Sequence, residues 1–113
     1  MQISTGKVCV CSRLGIQSQP PGPGSKLGIA LSSLGQIPVH GMRNEETSTT
    51  NGWYIWCGDY SDDYDFFAPL CVEHITDRLP LVEPYLSLPP GYRFLIDSEG
   101  YEDIWHDPSL LEA

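Results

Sequence analysis

A chain of 113 residues is long enough to bury one core and too short for separate cofactor and substrate domains. Fifteen acidic against six basic side chains give a formal charge of −9, which repels nucleic-acid phosphate and anionic lipid and favours encounter with basic partners. At 41% hydrophobic the chain is no disordered acidic tail, and no apolar run approaches the roughly 18 residues that a membrane span requires. One domain over residues 1–113 is therefore expected, binding neither nucleic acid nor membrane.

The first segment, "MQISTGKVCVCSRLG", lacks the continuous apolar stretch of a secretory signal, so the expected compartment is the cytoplasm and the expected state of the four cysteines is the reduced thiol. Within it "KVCVCS", residues 7–12, has the β-branched composition of a strand, and "GIQSQPPGPGS" is a Pro/Gly/Ser loop. "KLGIALSSLG" alternates Leu27, Ile29 and Leu31 with Gly28, Ala30 and Ser32, which predicts a strand with one large-residue face and one small-residue face. "QIPVHGM" predicts a further strand, placed at an edge or a bulge by Pro38. Asn51-Gly52 is a turn signal directly ahead of "WYIWC", where Trp53, Ile55 and Cys57 face one way and Tyr54 and Trp56 the other. Both faces of that strand are apolar, so it is either a central strand covered on each side or one with a face left partly open for a partner.

Farther on, "FAPLCVEHITDRL" places Val72, Ile75 and Leu79 at helical spacing. Pro80 interrupts, and "LVEPYLSL" repeats the helical pattern until "LPPG" stops it, with Pro84 tolerable in a first turn. "YRFLID", the turn "SEG" and "YEDIW" predict a β-hairpin over residues 92–105, and Asp107-Pro108 predicts one short helical turn. The sum is an α+β fold: an antiparallel sheet of five or six strands, with one or two helices inserted before a C-terminal hairpin.

The chemistry-bearing residues point away from catalysis. Asp59, Asp62, Asp63 and Asp65 crowd one loop, yet an EF-hand calcium loop needs a central glycine and a glutamate at its twelfth position, and "DYSDDYDFF" supplies neither. Cys9 and Cys11 are one residue apart in the expected strand, and neither Cys57 nor Cys71 has a near mate, which is not the spacing of a closed zinc site. "GPGSKLG" inverts the lysine and serine of a phosphate-binding loop. Glu99, Glu102, Asp103 and Asp107 read as a solvated hairpin edge, where charge discourages edge-to-edge association. The remaining reading is a partner-binding surface in which Trp53 or Trp56, with Tyr60 and Tyr64, supplies aromatic anchors and the four aspartates steer a basic partner. The alternative is a small metal- or ligand-binding domain using loop 59–65.

The blocks "NGWYIWCGDYSDDYDFFAPLCVEHI", "VEPYLSLPPGYRFLID" and "GYEDIWHDPSLL", spanning residues 51–111, resemble immunity protein family 33, small bacterial proteins of polymorphic toxin systems. The resemblance implies a cytoplasmic protein that binds and neutralises a cognate toxin, with no catalysis and no cofactor. It brings no catalytic residues to carry over. An acidic domain with an aromatic patch also suits a toxin with a basic surface, because complementary potential speeds association and aromatic anchors slow release.

Overall fold

The computed structural model describes residues 10–111, and within them the chain forms one six-stranded sheet with short helical segments. The strands are β1 (Lys26–Ile29), β2 (Val39–Arg43), β3 (Trp53–Cys57), β4 (Ala68–Cys71), β5 (Tyr92–Ile96) and β6 (Glu102–His106). Their spatial order is β4-β1-β3-β2-β5-β6. The expected α+β class holds, and all neighbours are antiparallel except β1 and β3, which run parallel with Gly28 opposite Tyr54. Two short α-helices, α1 (Val10–Leu14) and α2 (Ile75–Arg78), and several 3-10 turns supply the rest.

Four expectations are corrected. Residues 10–12 of the expected first strand belong to α1, with Val10 and Cys11 in the core, while residues 7–9 lie outside the described residues. Pro38 does not mark an edge: it sits one residue ahead of β2, which is an interior strand between β3 and β5. Its missing N–H falls outside the ladder, and its carbonyl accepts the Gly58 N–H at 2.8 Å. The helix expected from residue 67 onward is strand first, because residues 68–71 pair with β1. Helical geometry begins only at Val72, and α2 stops at Arg78 because Leu79, ahead of Pro80, is pushed into an extended conformation with φ −152° and ψ 69°. Pro84 falls late in a 3-10 segment, Pro80–Tyr85, rather than in a first helical turn.

The core lies on one face of the sheet. Leu27, Ile29, Trp53, Ile55, Phe94 and Ile96 point into it, and Val10, Cys11, Ile75 and Val82 from the helical segments, with Leu88 from the stretch after them, close it over. Leu31, the outermost residue of the predicted large-residue face, is 40% exposed because the strand ends at Ile29 and a 3-10 turn begins. Gly41 of β2 lies between Ile55 and Phe94 in register, and a Cβ there would run into the Phe94 ring. Gly52 has φ +95°, and a Cβ on it would strike the Asn44 carbonyl. The turn signal at Asn51-Gly52 is thus real, but Asn51 is buried: its amide oxygen accepts the Trp53 N–H and its NH2 donates to Ser25 Oγ, both at 3.1 Å.

Arg43, the last residue of β2, is buried, and none of its hydrogen bonds among the described residues goes to a carboxylate. Its guanidinium donates to three backbone carbonyls instead: Gln19 at 2.6 Å, Leu88 at 2.9 Å and Asn51 at 3.1 Å. The same group lies 5.8 Å from the Trp53 ring, and desolvation pushes its pKa down. Arg43→Ala should remove these bonds and leave buried carbonyls unpaired, lowering unfolding free energy by about 3 to 5 kcal/mol in urea denaturation. Gly41→Ala should cost about 1 to 3 kcal/mol in the same measurement by overpacking Phe94. A variant of either kind as stable as the parent would contradict the packing described.

Candidate functional site

The acidic loop leaves β3 at Gly58 and returns at β4. A turn within it is closed by the Phe66 N–H donating to the Asp63 carbonyl at 3.0 Å, and the Asp63 N–H donates to Ser61 Oγ at 3.1 Å. Asp59, Asp62, Asp63 and Asp65 are all exposed, and among the described residues none of their carboxylates has a hydrogen-bond or ion-pair partner. Nor is any group of three or more His, Cys, Asp or Glu side chains gathered closely enough among those residues to hold a metal ion. The carboxylates share a loop without converging on a point.

Rings fasten this loop to the sheet. Phe67 meets Tyr54 at 5.2 Å and Trp56 at 6.0 Å, Tyr60 meets Trp56 at 5.2 Å, and Phe66 bridges Tyr60 and Phe67. Edge-on ring contacts of this kind hold their partners without fixing a hydrogen-bond geometry. The two tyrosines expected as anchors are available: Tyr60 is 54% exposed and Tyr64 fully so. The two tryptophans are not. Trp53 is sealed in the core, 5.5 Å from Phe94, with its indole N–H donating to the Leu86 carbonyl at 2.9 Å, so it cannot touch a partner. Trp56 is 5% exposed beneath the loop and stacks on His40 at 4.8 Å, which makes it the base of the loop rather than an exposed anchor.

Trp56 and His40 belong to the face of the sheet opposite the core. Pairing register sets out that face as two rows across the strands: Gly28, Tyr54, Met42, Arg93 and Trp105 in one, Trp56, His40, Leu95 and Asp103 in the other. In the first row the Tyr54 ring lies over Gly28, so closely that a Cβ there would come within 2.7 Å of it. Tyr54, Met42, His40 and Leu95 are half-buried, and Trp105 is 37% exposed. The helical segments that carry core residues pack on the other side, and the loop rings cover part of this face among the described residues. Sequence reasoning raised an open face on β3 but missed its extension over β2, β5 and β6. The alternation in "YRFLID" and "YEDIW" carries that signal, since it sets Arg93 and Leu95 on the same side as Asp103 and Trp105 once the hairpin register is known.

Charge on this face is constrained. Arg93 donates to Asp107 at 3.1 Å and lies 5.6 Å from the Trp105 ring, while its buried Nε has no hydrogen-bond partner among the described residues. His40 is held below its ordinary pKa first by burial and then by the positive charge of Arg93, partly offset by a contact with the Gly58 backbone. The unfolded chain, whose histidine titrates near the ordinary value of about 6.5, therefore takes up this proton before the folded one does. The stability that His40 contributes is whole above about pH 6.5 and declines as pH falls from there towards the lower folded value. His40→Gln should flatten that part of the stability-pH curve in urea denaturation, and an unchanged slope would place the titration elsewhere.

The model of the Imm33-like domain matches residues 7–107 of the 113-residue chain. No curated protein and no solved structure gives a significant match. The matched region spans the whole six-stranded sheet, the acidic loop and the open face, and the chain belongs to the Imm33-like family of immunity proteins.

Proposed function

We propose that this chain is a cytoplasmic immunity protein that neutralises a cognate bacterial toxin by direct contact, without catalysis or cofactor, and that loop 59–65 meets a basic surface on that toxin. Family membership supports the immunity role. The observation that carries the site is the loop itself: four exposed carboxylates without partners among the described residues, beside the exposed Tyr60 and Tyr64, on a base of packed rings. Carboxylates that serve the fold are bonded within it, as Glu102 is to Arg13 and Tyr85. The loop aspartates do no such internal work, and their field reaches outward into solvent, where it steers an oppositely charged partner. Tyrosine adds amphipathic contact area at small entropic cost.

The partner-binding residues in this proposal are Asp59, Tyr60, Asp62, Asp63, Tyr64 and Asp65, with Trp56 supporting them from beneath. Co-expression with the toxin encoded by the adjacent gene should restore growth, and the purified pair should associate faster at low salt than at high salt. Replacing all four loop aspartates by asparagine should slow association at low ionic strength by about tenfold or more and remove most of its salt dependence, read by stopped-flow fluorescence. Equally fast association by that variant would sink the electrostatic role of the loop. Absence of both growth rescue and complex at micromolar concentration would sink the immunity role.

A further inference from the structure

An antiparallel sheet with one solvated face ordinarily alternates apolar residues inward and polar residues outward. This sheet does not. The outward positions of β2, β3, β5 and β6 include Met42, Tyr54, Leu95 and Trp105, and only Arg93 and Asp103 on those strands carry charge there near neutral pH. Tyr54 and Met42 are direct cross-strand neighbours, about 5 Å apart, and Leu95 stands diagonal to both Met42 and Trp105, about 7 to 8 Å away and within reach of long side chains, so the four form a strip around Arg93 rather than scattered exposures. The strip runs from the ring-packed loop at β3 to the edge strand β6.

Its electrostatics select a partner. The one guanidinium on the strip, Arg93, is already paired with Asp107 and rests on Trp105. Asp103 at the β6 end has no partner among the described residues, and the loop aspartates stand at the β3 end in the same condition. An apolar centre is thus flanked at both ends by unpaired carboxylates. This is the layout of a protein interface in which aromatic and aliphatic side chains bury at the centre and charges line the rim.

Resting on the immunity role proposed above, we propose that the open sheet face built on Met42, Tyr54, Leu95 and Trp105 is the apolar centre of the toxin contact. Its occupant is an apolar protrusion of the toxin flanked by lysine or arginine, and the acidic loop is the rim on one side. The loop governs the rate of encounter and the sheet face governs the lifetime of the complex.

The probe is the purified toxin encoded by the adjacent gene. Trp105→Ala, on an edge strand, and Leu95→Arg should each weaken binding by about 30-fold or more, chiefly through faster dissociation. Leu81→Arg, at an exposed position of the helical layer on the other side, should leave binding unchanged. Hydroxyl-radical footprinting of the unmutated complex gives a readout independent of variant folding: Met42 and Trp105 should oxidise several-fold more slowly than in the free chain. If the unmutated protein binds and neutralises the toxin while both variants bind within threefold and Met42 and Trp105 stay reactive, the sheet face is the wrong surface and the immunity role stands. If the unmutated protein neither binds nor neutralises, the immunity role fails and this proposal with it. Should the free chain sediment as a dimer that Trp105→Ala dissociates, the occupant is a second copy of the chain, and the toxin is excluded from this face.

Discussion

A sheet has two faces, and among the described residues the helical segments bury apolar side chains against one of them. α1 has five residues and α2 four, the remaining segments are 3-10, and the core residues that they supply lie on the Trp53 and Phe94 side. Burial on that side supplies the hydrophobic stabilisation, since each fully buried large apolar side chain contributes about 1.5 to 3 kcal/mol. On the other side no helical segment among the described residues supplies a core residue. What would be a dehydrated layer in a three-layer fold is here an aromatic and aliphatic surface, partly roofed by the rings of one loop. The candidate site is therefore a product of the layer count as much as of any individual residue.

The loop and the sheet face differ in how they are held. Backbone ladders fix the strands, whereas the loop is anchored through Tyr60 and Phe67 packing on Trp56 and Tyr54, with Phe66 against both loop rings. Ring contacts are less directional than backbone hydrogen bonds, so the loop and the strands are held by interactions of different kinds.

Much of this was legible in the residues, for reasons that differ by element. The hairpin of β5 and β6 was readable because its pairing is local, its alternation is clean and its turn is built on Asp97, whose carboxylate accepts the Glu99 and Tyr101 N–H groups. β3 was readable from its aromatic, β-branched composition. β4 was missed because its strand character comes from pairing with β1, about forty positions earlier, while its own apolar spacing suggests a helix. The parallel pairing of β1 and β3 was missed for the same reason, since nothing local distinguishes it from an antiparallel one. The exposure of the loop aspartates and tyrosines was read from their polarity and spacing. The burial of both tryptophans was not, because a ring beside a polar loop serves equally well as an anchor or as the loop's foundation, and only the packing decides.

The buried Arg43 sits at the end of β3 where the strand begins, and the acidic loop leaves from the end where it finishes. Its three acceptors come from residues 19, 51 and 88, so three distant stretches of chain share one cation. None can lift away singly without stranding a charge that the other two cannot satisfy alone. One buried cation in this way ties three parts of the chain that are far apart in sequence to the end of the sheet opposite the aspartates.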